Sequence, residues 1–145
     1  MLHALHPERP CSLEDAVRHL RGITHLLAHD ANRADDLVEA ALENLLTCDT
    51  AIDPDAVDLK LLFKPIRRAL STLQPPQRDT GAVASDLLPY LLRESLVLHR
   101  GAGISLPSVA VLLDEPAGII RQRIKEADRL ICSHCPAFFN GPIAA

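Results

Sequence analysis

The residues best suited to chemistry in this 145-residue chain are cations that recur along one helical pattern in its C-terminal third. Their spacing places them largely outside an apolar stripe that repeats at helical intervals. The cations are Arg121, Arg123, Lys125 and Arg129, and the stripe comprises Ile119, Ile120, Ile124, Ala127 and Leu130 or Ile131. Guanidinium and ammonium groups presented in this way can contact phosphates or the edges of bases. We therefore predict Arg121, Arg123 and Lys125 as DNA-binding residues.

A shorter apolar pattern precedes the basic helix. Ser105 is a helix-start signal, and Pro116, just after Asp114 and Glu115, allows a new helix to begin. The residues that share one face of the first pattern are Val109, Leu112 and Leu113. Two short helices that meet at a turn, the second of them basic, predict a helix-turn-helix. Its second helix either contacts DNA or is kept only for protein binding.

A second basic cluster lies in the N-terminal half of the chain. It consists of Lys60, Lys64, Arg67 and Arg68, with Phe63 as its one aromatic residue. Single-stranded nucleic acid is bound by cationic grooves that also carry aromatic side chains, so Lys64, Arg67 and Arg68 are further DNA-binding candidates. Pro65 is expected to interrupt this helix, at about 3 kcal/mol if it is truly interior. Alternatively, the cations only solvate the end of a packed helix.

The charge balance limits the general attraction of this chain for nucleic acid. The net charge is −4, and acidic residues dominate the stretch 12–50. Such a lobe is a poor ligand for DNA but could meet a basic protein surface. Alternatively, these acids form a solvated face on a surface helix.

The elements that must position these residues are predicted to be helices throughout. The chain has no Trp, one Tyr and three Phe, so its core must be built from Leu, Ile, Val and Ala. Apolar residues recur at helical spacing with no long alternating stretch, which predicts an all-α protein. One helix is predicted to begin near Ser12, and the others span 32–46, 55–70, 86–99, 105–113 and 117–131.

A polar stretch with a Pro pair and a Gly divides the chain. We predict a helical lobe over 1–70, a short linker over 71–85, a helix-turn-helix lobe over 86–135 and a C-terminal tail over 136–145. Fully extended, the linker reaches at most about 50 Å.

Cys132 and Cys135 form a Cys-x-x-Cys pair, which can hold zinc or act as a redox pair. A structural zinc site needs further ligands, and Cys11, Cys48, His3 or His6 would have to arrive through the fold. The alternative is a helix end followed by a loop, and we predict no metal and no other cofactor.

The sequence offers little support for an enzyme or a membrane protein. It has no phosphate-binding Gly loop, nucleophile elbow or paired metal-binding His motif. It also has no apolar stretch suited to a signal peptide or a membrane span. We therefore expect a cytoplasmic protein with reduced thiols and no enzymatic activity.

Two ordered groups of motifs resemble the extracytoplasmic-function sigma factors. Region four of that family is matched by Leu88-Pro89, Arg93-Glu94-Ser95-Leu96, Gly103-Ile104-Ser105, Val109-Ala110, Leu113, Pro116, Gly118-Ile119-Ile120 and Arg123-Ile124. Region two is matched by Ala34-Asp35-Asp36-Leu37-Val38-Glu39, followed by Leu61-Leu62-Phe63 and Ile66-Arg67. The resemblance implies two small helical lobes, one like sigma region two and one like sigma region four. It also implies core RNA polymerase and promoter DNA as partners, with Asp35, Asp36 and Glu39 as protein-binding residues.

Several departures from the family pattern favour a subgroup, the sigma-factor mimics of PhyR-type general stress response regulators. The basic segment lacks the family's Trp and contains Pro65, and Glu126 and Asp128 stand where further arginines are common. The linker is also short. This resemblance implies a sigma mimic that binds an anti-sigma factor, and the alternative is an active but divergent sigma factor. The chain could be an isolated domain or a stand-alone relative of such regulators.

Overall fold

A computed structural model describes residues 5–28, 30–47, 53–72 and 88–134, which form six α-helices and no β-strand. The helices are α1 (Leu13–Leu27), α2 (Ala31–Thr47), α3 (Leu59–Ser71), α4 (Tyr90–Leu96), α5 (Leu106–Leu113) and α6 (Ala117–His134). A π-helical turn, Val97–Gly101, continues α4. The predicted all-α class is confirmed.

Side-chain caps explain where several helices begin. Ser12 Oγ accepts a hydrogen bond from the Asp15 amide at 3.2 Å, and Ser105 Oγ accepts one from the Ser108 amide at 3.3 Å. These bonds satisfy amides that have no partner inside the first turn of a helix. The predicted starts near Ser12 and Ser105 therefore agree with the structure.

Helix α3 begins later than predicted. Asp58 is its cap, with Oδ1 accepting from the Lys60 amide at 3.1 Å. The preceding residues form a turn in which Asp53 Oδ1 accepts from the Asp55 amide at 2.9 Å. Aspartate is common both in turns and at helix starts. Here Asp53 stabilises the turn, and the helix begins only after Asp58.

Pro65 does not interrupt α3, contrary to the prediction. The helix continues through it from Leu59 to Ser71, and the Pro65 ring is exposed. Proline removes one backbone hydrogen bond, but the apolar face of the helix remains in place on both sides of it. The buried residues of that face are Leu59, Leu62, Phe63, Ile66 and Leu70. Their burial holds the helix together, because each buried side chain contributes about 1.5–3 kcal/mol.

The helices form two lobes that pack against each other. In the N-terminal lobe α1, α2 and α3 are in mutual contact, and in the C-terminal lobe α6 contacts both α4 and α5. Between the lobes α3 contacts α5, and α1 contacts the π-helical turn. One continuous apolar core joins them, from Leu20, Ile23 and Phe63 on one side to Leu98, Leu113 and Ile120 on the other.

The predicted domain boundaries stay a prediction, because the structure does not describe 73–87 or 135–145. The predicted linker can be followed only through Ser71, which ends α3, and Thr72. Cys135, Cys48, His3 and the tail 136–145 also lie outside the described residues.

Candidate functional site

The predicted basic helix is α6, and only part of its charge is available to a ligand. Arg121 and Lys125 are exposed and have no polar partner among the described residues. Arg123 was predicted to lie outside the buried stripe, but its side chain is only 17% exposed. Its Nη2 donates to Glu115 Oε1 at 3.2 Å, across the turn that joins α5 to α6. Arg123 therefore links α6 to the preceding turn instead of facing solvent.

Other cations near α6 are also paired within the chain. Arg129 forms an ion pair with Glu126 one turn earlier, and Arg100 of the π-helical turn pairs with Asp128. Each pair places a carboxylate beside a cation on the surface that was predicted to meet DNA. The positive charge of this surface is correspondingly reduced.

The basic cluster of α3 divides into two pairs of residues with different roles. Lys64 and Arg68 are exposed and have no polar partner in the described part of the chain. Lys60 and Arg67 instead point across to the C-terminal lobe. Lys60 Nζ lies 3.0 Å from Asp114 Oδ1 at the end of α5. Of the predicted residues Lys64, Arg67 and Arg68, the structure thus leaves only the first and the last free for a ligand.

Arg67 forms the more shielded of the two ion pairs between the lobes that the structure describes. Its Nε donates to both carboxylate oxygens of Glu94, at 2.9 and 3.1 Å, and its Nη1 donates to the Leu113 carbonyl at 3.2 Å. The Glu94 side chain is fully buried, whereas that of Arg67 is 25% exposed. Burial acts to lower the pKa of Arg67, but the hydrogen bonds and charge of Glu94 raise it overall. The guanidinium therefore stays charged at this seam.

Tyr90 and Arg93 complete the buried polar layer around Glu94. Burial raises the pKa of Tyr90, and the neighbouring charge of Glu94 raises it further, so the phenol is neutral. Arg93 lies over the Tyr90 ring with its guanidinium carbon 5.5 Å from the ring centre, and it donates to the Leu27 carbonyl of α1. The sequence prediction included Arg93 and Glu94 in the region-four motif but assigned them no contact. The signal that could have revealed their buried contacts is the presence of two charged residues inside the apolar pattern of α4.

Phe63 does not serve as a stacking surface. Its side chain is 0% exposed and lies in the apolar core between the helices. Base stacking needs an accessible ring face, and Phe63 offers none.

The acidic face of α2 is partly engaged inside the N-terminal lobe. Arg21 Nε donates to Asp35 Oδ1 at 3.0 Å, and His25 Nε2 lies 2.7 Å from the same oxygen. The hydrogen bond from Arg21, followed by that from His25, holds the pKa of Asp35 below its ordinary range. Asp36 and Glu39 are exposed and have no polar partner in the region described. These two residues are therefore the available members of the predicted protein-binding set.

The remaining predictions concern metals and membranes. Cys132 is exposed near the end of α6, and the described residues contain no group of three or more His, Cys, Asp or Glu side chains suited to a metal ion. Among the helices described, none is both long and apolar enough to cross a bilayer.

No family model and no curated protein matches this chain. Two solved structures are similar in fold, and both come from Bartonella quintana complexes. The sigma factor RpoE, co-crystallised with the anti-sigma factor NepR, is 18% identical with a TM-score of 0.58, covering 83% of this chain and 92% of that chain. The anti-anti-sigma factor PhyR, complexed with the anti-sigma factor NepR, is 15% identical with a TM-score of 0.60. That match covers 81% of this chain and 47% of that chain. The all-helical fold is therefore shared with these two proteins.

Proposed function

We propose that this protein is a sigma-factor-like transcription regulator that acts as a sigma mimic and binds an anti-sigma factor in a bacterial stress response. The observation that carries the proposal is the internal pairing of its predicted DNA-binding cations. Arg67 pairs with Glu94 and Arg123 pairs with Glu115, so neither is free to contact a nucleic acid. The two similar solved structures, a sigma factor and an anti-anti-sigma factor, were both obtained with the anti-sigma factor NepR.

Charge supports a protein partner over DNA. Binding to DNA depends on neutralising phosphates with free cations, and each lost phosphate contact weakens it. Of the predicted DNA-binding cations, the described surface leaves Lys64, Arg68, Arg121 and Lys125 for that task, in a chain whose net charge is −4. A protein partner with a basic surface would instead be attracted.

The face of α2 offers a surface of this kind. Asp36 and Glu39 are exposed on it, and Leu46, near the end of the same helix, is 74% exposed. An exposed leucine on the same helix as unpaired carboxylates suits a partner that combines apolar and basic side chains. We assign Asp36 and Glu39 to partner binding, while Asp35 stabilises the packing of α1 on α2.

Charge reversal on α2 tests this assignment. The double variant Asp36→Lys with Glu39→Lys is expected to weaken binding to a NepR-type anti-sigma factor by about tenfold or more, because like charges would then face each other. Isothermal titration calorimetry of the purified proteins measures the change. The control Asp55→Lys makes the same charge reversal at one exposed residue, in a turn outside α2. It should leave the affinity within about twofold of the wild type. Equal affinities for the double variant and the wild type would refute the assignment.

An active, divergent sigma factor is the second candidate. It is favoured by the free cations Arg121 and Lys125 on α6 and by the match to nearly the whole RpoE chain. Such a protein would bind core RNA polymerase and read promoter DNA through this helix.

Charge reversal on α6 separates the two candidates. In a sigma mimic, Arg121→Glu with Lys125→Glu should leave the affinity for the anti-sigma factor within about twofold, since these residues lie on α6, in the other lobe from α2. In a sigma factor the same variant should abolish promoter recognition, because each base contact by a cation contributes about 1–3 kcal/mol. Calorimetry with the anti-sigma factor and fluorescence anisotropy with core polymerase and promoter DNA provide the two readouts.

A further inference from the structure

The seam between the lobes carries two ion pairs that link α3 to the C-terminal helices. We propose that these pairs form an interlobe clasp, made of Lys60, Arg67, Glu94 and Asp114, that acts as a latch on the closed arrangement of the free protein. In this latch Arg67 and Glu94 form the shielded inner part, and Lys60 and Asp114 form the exposed outer part. The inference rests on the geometry of the seam and not on the proposed function.

The inner pair ties α3 to two helices of the other lobe at once. The Arg67 guanidinium reaches Glu94 on α4 and the Leu113 carbonyl at the end of α5. Glu94 is fully buried, so salt has little access to this contact. If the lobes separated, the Leu113 carbonyl and the Glu94 carboxylate would both lose this donor.

The outer pair depends on an uncommon backbone conformation. Asp114 ends α5 with φ 55° and ψ 45°, and it is the only residue other than glycine with positive φ in the described chain. Glycine adopts this left-handed conformation without cost, whereas other L-residues are strained in it and Asp is strained less than most. The Asp114 carboxylate therefore reaches Lys60 from a position at which glycine would be more stable.

Exposure makes the outer pair responsive to its surroundings. The Lys60 side chain is 38% exposed and that of Asp114 is 81% exposed. An open groove of about 410 Å³ lies beside the pair, lined also by Val111 and Pro116. Ions can therefore screen the pair, and a partner that enters the groove can compete for either charge. The latch would then loosen in two steps, the outer pair first.

The test uses hydrogen exchange at a part of the seam that contains neither residue of the outer pair. The π-helical turn, Val97–Gly101, contacts α1 across the seam, while α2 packs within the N-terminal lobe and serves as the control. In the Asp114→Gly variant, the rate of amide hydrogen exchange in the π-helical turn is expected to rise about two- to fivefold. A rise of this size corresponds to the loss of one exposed ion pair. Exchange of α2 should stay unchanged, and resistance to urea should stay equal or increase because the left-handed strain is relieved.

Companion variants complete the test. Lys60→Gln and Asp114→Asn should accelerate exchange of the π-helical turn as much as Asp114→Gly does, and the double variant Lys60→Gln with Asp114→Gly should add nothing further. In 1 M salt the wild type should approach the variants, while the variants should not change. The latch would be overturned if the π-helical turn of Asp114→Gly exchanged at the wild-type rate. It would also be overturned if the two substitutions had additive effects on exchange in the double variant, or if exchange of α2 rose equally.

Discussion

Replacing Arg67 by Met is expected to lower the free energy of unfolding by about 3–5 kcal/mol. Met keeps much of the volume of the stem but removes the donor that Glu94 requires. Because Glu94 is fully buried, its carboxylate would lose two hydrogen bonds from Arg67 that solvent cannot replace. Urea denaturation followed by circular dichroism measures the loss.

Two further variants make this result specific to the pair. Arg68→Met removes the neighbouring cation, which is exposed and unpaired within the described chain, and it should change stability by less than about 0.5 kcal/mol. The double variant Arg67→Met with Glu94→Met should recover most of the stability, because apolar groups can replace a buried ion pair at little cost. If Arg67→Met were as mild as Arg68→Met, Arg67 could not be the group that compensates Glu94.

Replacing Phe63 by Ala is expected to cost about 3–5 kcal/mol of stability, the usual loss for a large core aromatic. Phe63 is 0% exposed and sits in the continuous core that joins the lobes. The loss combines the buried area that disappears with the cavity that remains. Thermal and urea unfolding provide the measurement.

Leu61→Ala is the matched control on the same helix. Leu61 is 64% exposed, so its truncation should change stability by less than about 0.5 kcal/mol. A sequence-based role for Phe63 as a stacking residue predicts the opposite pattern, in which Phe63→Ala impairs nucleic-acid binding and leaves stability intact. That pattern would contradict the buried position of the ring.

The helices could be predicted from the sequence because their signals are local. Ser12 and Ser105 cap the helices that they were expected to start, and the apolar spacing identifies the buried face of α5. The predicted interruption at Pro65 was wrong, because the packed face of α3 outweighs the one hydrogen bond that proline removes. Local propensity is overridden wherever tertiary burial is large.

The pairing of charges could not be predicted, because it joins residues that are distant in sequence. Arg67 and Glu94 are separated by 27 positions, and Lys60 and Asp114 by 54. Helical periodicity places Arg123 outside the apolar stripe, but only the turn between α5 and α6 brings Glu115 beside it. The basic surface inferred from the sequence was therefore larger than the basic surface that the fold leaves exposed.

The fold agrees with the resemblance to sigma factors. The two proposed functions, sigma mimic and active sigma factor, differ in the partners that they require. Both proposals have the N-terminal lobe bind protein through α2. They differ in whether α6 and α3 also bind DNA, and the internal pairing of Arg67 and Arg123 favours the mimic.

The most direct test is a pull-down of the tagged protein from a lysate of its own organism, with mass spectrometry of the recovered proteins. The Asp36→Lys and Glu39→Lys double variant serves as the parallel control. We expect the wild type to recover a small anti-sigma protein without core RNA polymerase, and the double variant to recover much less of it. Recovery of the core polymerase subunits would contradict the proposed sigma mimic and identify a working sigma factor.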